Sequence, residues 1–195
     1  MEPRRLPLRL NPRQRRGGPM RKQWAVIAAV TFLTAGCGSG VDGVEVTGVP
    51  QERWDPCSIP ADAIAGTGLD PASQKTWSDG VVVDDWTMCA WRGPISTPWY
   101  FFSVRFSNDY TLDDARADST YSDVIDVAVQ ERQAVRYQTN IRGQPENCNL
   151  AMASVDGTIK TSVDVIGSER AKLDPCTVLL AHATDLLASF PPHTR

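Results

Sequence analysis

Five cysteines, two histidines and several adjacent aspartates are the residues of this 195-residue chain best suited to chemistry. Two of the cysteines stand in the same tripeptide, Asp55-Pro56-Cys57 and Asp174-Pro175-Cys176, more than a hundred residues apart. Asp is a preferred helix N-cap, and Pro fits the first helical position, where its missing N–H would go unpaired anyway. Each tripeptide therefore predicts a helix start with a cysteine in its first turn. There the helix dipole favours a thiolate, the state thiol oxidoreductases use. Those enzymes pair two cysteines at C-x-x-C spacing, and this chain has no such pair. Disulfides, not redox turnover, are the expected use of these sulfurs.

The remaining candidates are thinner. Asp84-Asp85 and Asp113-Asp114 offer carboxylates for a glycosidase, which needs two carboxyl groups roughly 5–10 Å apart across a cleft. Adjacent acids point in different directions, so an acidic surface explains them more simply. Asp79, Asp84 and Asp85 suggest calcium, but their spacing does not match an EF-hand loop. His182 falls in a helical stretch and reads as a packing or surface residue. His193 lies near the end of the sequence, where order is usually low. No H-E-x-x-H, G-x-S-x-G or P-loop occurs. The glycine-rich GSGVDG at 38–43 follows no strand and does not predict a phosphate cradle. The expectation is a protein without catalytic residues, metal or cofactor. A cell-wall hydrolase using the paired carboxylates is the alternative.

The elements around these residues begin with a targeting pattern. Residues 1–22 hold eight basic side chains, and the rest of the chain holds 12 basic and 22 acidic ones. A body this acidic repels nucleic acid, so no nucleic-acid partner is expected. From Met20 the chain runs basic, then apolar over Trp24–Leu33, then small up to Cys37, the order of a secretory signal. The apolar run is shorter than the roughly 20 residues that span a bilayer. Leu33-Thr34-Ala35-Gly36-Cys37 resembles the lipobox of bacterial lipoproteins. The resemblance implies cleavage before Cys37 and a diacylglyceryl group on its thiol, with further acylation in many hosts. Stable anchoring takes more than one acyl chain. Residues 1–36 are thus expected to be a signal peptide, with Met20 a plausible true start. Residues 37–53 read as a lipidated cysteine and glycine-rich tether, and 54–192 as one globular domain.

With Cys37 taken by lipid, Cys57, Cys89, Cys148 and Cys176 remain, an even number suited to two disulfides in an oxidising compartment. Three pairings are possible. Cys57–Cys89 with Cys148–Cys176 is favoured, because each ties a helix start to the nearest strand cysteine.

Strands are expected at Trp86–Trp91, Trp99–Phe106, Val124–Val129 and Ala134–Thr139, the last two joined by a turn around Glu131-Arg132-Gln133. Leu150–Val155 and Thr158–Val165 flank Asp156-Gly157, a strong hairpin signal. Alternation from Trp99 places Tyr100, Phe102, Val104 and Phe106 on one face and Trp99, Phe101, Ser103 and Arg105 on the other. Trp99 and Phe101 are expected under a helix or loop, with a binding groove the alternative. Helices are expected at Pro60–Ala65, from Thr111, and after Cys176, where Leu179, Ala183, Leu186 and Phe190 share a face before Pro191-Pro192. The fold expected is α+β: a mainly antiparallel sheet of about six strands, short helices on one face, a C-terminal helix and two disulfides.

The lipobox and tether, then WDPCSIPADAIAGTGLDPAS, TMCAWRG, CNLAMASVDGTIKTSVDV and the LDPC-headed last helix, together resemble the domain-of-unknown-function 3558 lipoproteins of actinobacteria. That resemblance implies an envelope location and disulfides, and carries no catalytic residues. The function expected is a lipid-anchored lipoprotein on the outer face of the cell membrane. Its domain would bind a partner protein or an envelope lipid or glycolipid.

Overall fold

A computed structural model describes residues 52–76, 83, 85–139 and 146–194. The signal segment, Cys37, the tether as far as residue 51, Trp77, Asp79 and Asp84 lie outside the described residues. No helix among those described is long and apolar enough to cross a membrane.

The described residues open with a 3-10 turn, Pro56–Ser58, capped by Asp55, whose carboxylate accepts from the Cys57 N–H at 2.9 Å. Helix α1 follows at Ala61–Gly66. Seven strands come next: β1 (Asp70–Lys75), β2 (Thr87–Gly93), β3 (Tyr100–Ser107), β4 (Tyr121–Val129), β5 (Arg132–Thr139), β6 (Asn147–Ser154) and β7 (Gly157–Val165). Helix α2 (Leu112–Ala117) lies between β3 and β4, and α3 (Pro175–Asp185) follows β7. All strand pairs are antiparallel, in the order β1-β2-β3-β7-β6-β5-β4. Two meanders, β1–β3 and β4–β7, thus meet along one seam where β3 lies beside β7, in register from Tyr100↔Val165 to Ser107↔Thr158.

About six strands were expected and seven occur among the described residues. The extra one is β1, whose sequence DPASQK has no alternating apolar residues to announce it. It is an edge strand, the one place in a sheet where a proline such as Pro71 costs no ladder hydrogen bond. The β4–β5 turn also falls earlier than expected. Gln130 and Glu131 make it, with Gln130 at φ 53°, and Arg132 is a buried strand residue. The Arg132 guanidinium donates to the carbonyls of Ala153 and Pro191 at 3.0 and 2.7 Å.

The first sheet face carries the main core. Trp91, Phe102, Val163 and Cys148 form one cross-strand row on it. Leu179 and Ala183 of α3 and Leu186 at its C-terminal cap belong to the same core, with Ile64 and Leu69 from the α1 region. Burying a large aliphatic or aromatic side chain contributes about 1.5–3 kcal/mol, so this row and helix hold most of the domain together. Both disulfides work here. Cys57 pairs with Cys89 and Cys148 with Cys176, at Cα separations of 5.1 and 5.0 Å. Each ties a helical turn begun by Asp-Pro to a strand of the sheet, the connectivity favoured from sequence.

The second face differs from expectation. The helices do not share one side, because α2 packs on the face opposite α3: Ala115 meets Val135, Tyr137 and Ala151. The cause is topological. The chain must cross from β3, inside the sheet, to β4 at its far edge, and α3 already occupies the first face. Thr111 and Asp114 start α2 with a capping box, side chain to backbone in both directions.

Gly157 corrects another detail. It pairs with Ser154, so the β6–β7 loop is Val155-Asp156, and the glycine opens β7. Its φ is 153°, and a Cβ there would run into the carbonyl oxygen of Ser107 and the Cα of Asn108. The glycine is required because the β3 end passes against it. Gly157→Ala is expected to lower stability by about 2 kcal/mol or more, read as a fall in the urea midpoint. An unchanged midpoint would show that this contact is not tight.

Candidate functional site

Helix α2 covers only part of the second face, the part over β5 and β6. The half built by β1, β2, β3 and β7 carries a different set of side chains. Alternation along β7 sends Ile159, Thr161, Val163 and Val165 to the first face and Lys160, Ser162 and Asp164 to the second. Alternation along β3 brings Phe101, Ser103 and Arg105 to the same side. The register then fixes three neighbouring cross-strand pairs: Phe101 with Asp164, Ser103 with Ser162, and Arg105 with Lys160.

These pairs are connected. Ser103 Oγ and Ser162 Oγ lie 2.7 Å apart, and Ser162 Oγ donates to Asp164 Oδ2 at 2.6 Å. Both hydroxyls are buried, while Phe101 is 39% exposed. Beside them runs a groove of about 350 Å³, lined by Phe101, Ser103, Arg105 and Asp164 together with Met88 of β2 and Lys75 of β1.

Towards α2 the face closes over Lys160. Its Nζ lies 4.7 Å from the ring centre of Tyr110, 5.2 Å from Trp86, and 5.4 Å from both Tyr121 and Tyr137. It donates to Tyr121 Oη at 3.0 Å. The negative faces of the rings receive the ammonium in place of water. Burial still pulls the Lys160 pKa below the ordinary lysine value, against the hydrogen bond it donates to Tyr121. Burial likewise raises the Tyr137 and Tyr110 hydroxyls well above theirs, so these phenols stay protonated.

Two further hollows occur. One, of about 480 Å³, lies between the β4–β5 turn and the end of α3 and holds Glu131, Asp185 and His193. The other, of about 600 Å³, surrounds Trp54, Phe106 and Phe190, whose rings meet edge-on.

The residues singled out from sequence are mostly committed elsewhere. Cys57, Cys89, Cys148 and Cys176 are in disulfides beside the first-face core. Asp114 caps α2 and its carboxyl is held below the usual range by its hydrogen bonds with Thr111. Asp113 pairs with Arg116 at 2.6 Å, on the surface. Asp85 is exposed. Among the described residues, no three histidine, cysteine or carboxylate side chains gather to hold a metal ion. His182 is 5% exposed, and its Nε2 lies 2.7 Å from Tyr100 Oη. Burial pushes His182 down to about 4 and Tyr100 up to about 12. Neither lines the grooves described above.

Trp99 is the clearest displacement. It was paired with Phe101 by alternation, yet it precedes β3, donates its N–H to the Gly93 carbonyl and is 3% exposed in the first-face core. The strand period does not extend back to it. Lys160, Ser162 and Asp164 were overlooked, although a lysine and an aspartate alternating with Ile159, Val163 and Val165 within a predicted strand were a readable sign.

Fold and site together define a disulfide-stapled α+β domain with one closed apolar face and one half-open polar face. The family model described as a protein of unknown function, DUF3558, matches residues 32–189. The chain belongs to that family. No curated protein and no solved structure matches it.

Proposed function

We propose that this protein is an envelope lipoprotein, anchored to the outer face of the cell membrane through lipid on Cys37, whose domain binds a ligand without transforming it. The observation that carries the binding role is the half-covered second face, where a groove with polar and aromatic walls stays open beside the part closed by α2. Its support also comes from where the reactive groups are spent: the sulfurs in staples, Asp114 and Asp174 in helix caps, His182 in the core. The occupant is a partner protein or an envelope lipid or glycolipid.

The test is to purify the protein from its native host in mild detergent and identify what co-purifies by native mass spectrometry. A stoichiometric companion supports the reading. Turnover of an envelope substrate by the purified protein would overturn it. The anchor has its own test: Cys37→Ser is expected to move the protein from the membrane fraction to the soluble one. Retention of that variant in membranes would defeat lipidation at Cys37.

A further inference from the structure

We propose that the groove over β1, β2 and β3, with Asp164 of β7 at its margin, is a saccharide-binding site. This rests on the reading of the domain as a binding module and names the chemistry of its ligand. A sugar ring offers donors and acceptors from the same hydroxyls, and an apolar C–H surface on its faces. Recognition therefore calls for a fixed acceptor, a fixed donor and a flat apolar plate side by side.

The β3–β7 register supplies that arrangement. Phe101, the plate, is the direct cross-strand neighbour of Asp164, the acceptor. Such neighbours have Cβ atoms roughly 4.5–5.5 Å apart, the span of one sugar ring. Ser162 holds one oxygen of Asp164 at 2.6 Å, which orients the carboxylate and leaves Oδ1 to accept from a ligand. A donor comes from Lys75, which lines the same groove. The exposed ring of Phe101 presents a negative π face to weakly positive C–H groups.

Other ligand classes fit less well. A bare phosphate needs cations without a carboxylate among them, and Asp164 would repel it. An acyl chain would strip water from Asp164 and Lys75 with no hydrogen bond in return. At about 350 Å³ the groove sits at the small end of ligand pockets, roughly 300–1,000 Å³, which suits one or two sugar units.

The experiment uses the full chain in mild detergent and a panel of neutral hexose and pentose mono- to tetrasaccharides, read by saturation-transfer NMR. Phosphatidylcholine vesicles with and without a glycolipid bearing the same sugars form a second arm. At least one saccharide is expected to bind saturably. Phe101→Ala and Asp164→Asn are each expected to weaken it about tenfold, while Phe101→Trp retains it and all three variants keep the wild-type Tm. Binding of free sugar assigns the site to wall polysaccharide, and binding only of glycolipid vesicles assigns it to a lipid headgroup. Absence of saturable binding in both arms overturns the proposal, as does binding indifferent to Phe101→Ala and Asp164→Asn. If no saccharide binds in either arm while a companion protein still co-purifies, the saccharide site falls and the binding module stands.

Discussion

Replacing Cys148 and Cys176 together with alanine is expected to lower the unfolding free energy by about 3–4 kcal/mol. The bond closes a loop across a sequence separation of 28 residues. Freeing a loop of that size restores chain entropy to the unfolded state worth about that much on the loop-closure estimate. Typical domains hold about 5–15 kcal/mol in all, so the loss is a large fraction. Urea unfolding of the oxidised protein and the double variant, followed by tryptophan fluorescence, measures it. The denaturant slope should also rise, because the uncrosslinked chain expands further on unfolding. Changes below about 1 kcal/mol would mean that the crosslink restrains the unfolded chain far less than loop closure requires.

Acid should destabilise the domain through His182 before the hydrogen-bonded carboxyls of Asp114, Asp118 and Asp174 titrate. Desolvation holds the folded-state pKa at about 4, against 6.5 for the free side chain. Asp185, the charge that opposes this shift, lies on the same helix, and the β3 groups against the ring are Tyr100 and Phe102. The folded state excludes a proton that the unfolded chain accepts, so the contribution is fully present above pH 6.5. It is lost as pH falls from 6.5 towards 4, where the loss amounts to about 3 kcal/mol. The carboxyls of Asp114, Asp118 and Asp174 are held below their ordinary values, so their contributions disappear at lower pH still. His182→Gln, which keeps a polar group facing Tyr100 without titrating in this range, should flatten the stability profile between pH 6.5 and 4. An unchanged profile in that variant would remove His182 as the cause.

Much of the first face was legible because its signals are local. Asp-Pro sets two helix starts, alternation from Tyr100 to Phe106 sorts one strand, and Leu179, Ala183 and Leu186 recur at helical spacing. The second face was harder to read for a physical reason. Its content depends on which strands become neighbours, and β3 and β7 are far apart in sequence. Phe101, Ser103 and Arg105 were assigned to one side of β3, but nothing local says that Asp164, Ser162 and Lys160 stand opposite them. The side chosen by α2 was equally hidden, since Ala115 only suits a close approach and does not say to which face. Edge strand β1 escaped because an edge can tolerate a sequence without strand character.

The seam between β3 and β7 also bears on how the domain reaches its final shape. The central ladder joins residues 51 to 65 positions apart, so it cannot form until most of the domain is available. The two disulfides fall on either side of that seam: Cys57–Cys89 lies wholly within the first meander and its preceding turns, Cys148–Cys176 wholly within the second meander and α3. Each half can therefore be crosslinked by a short search before the halves meet. Every swapped pair lies at least 59 residues apart, against 32 and 28 for the native pairs, so the order of emergence favours the native bonds.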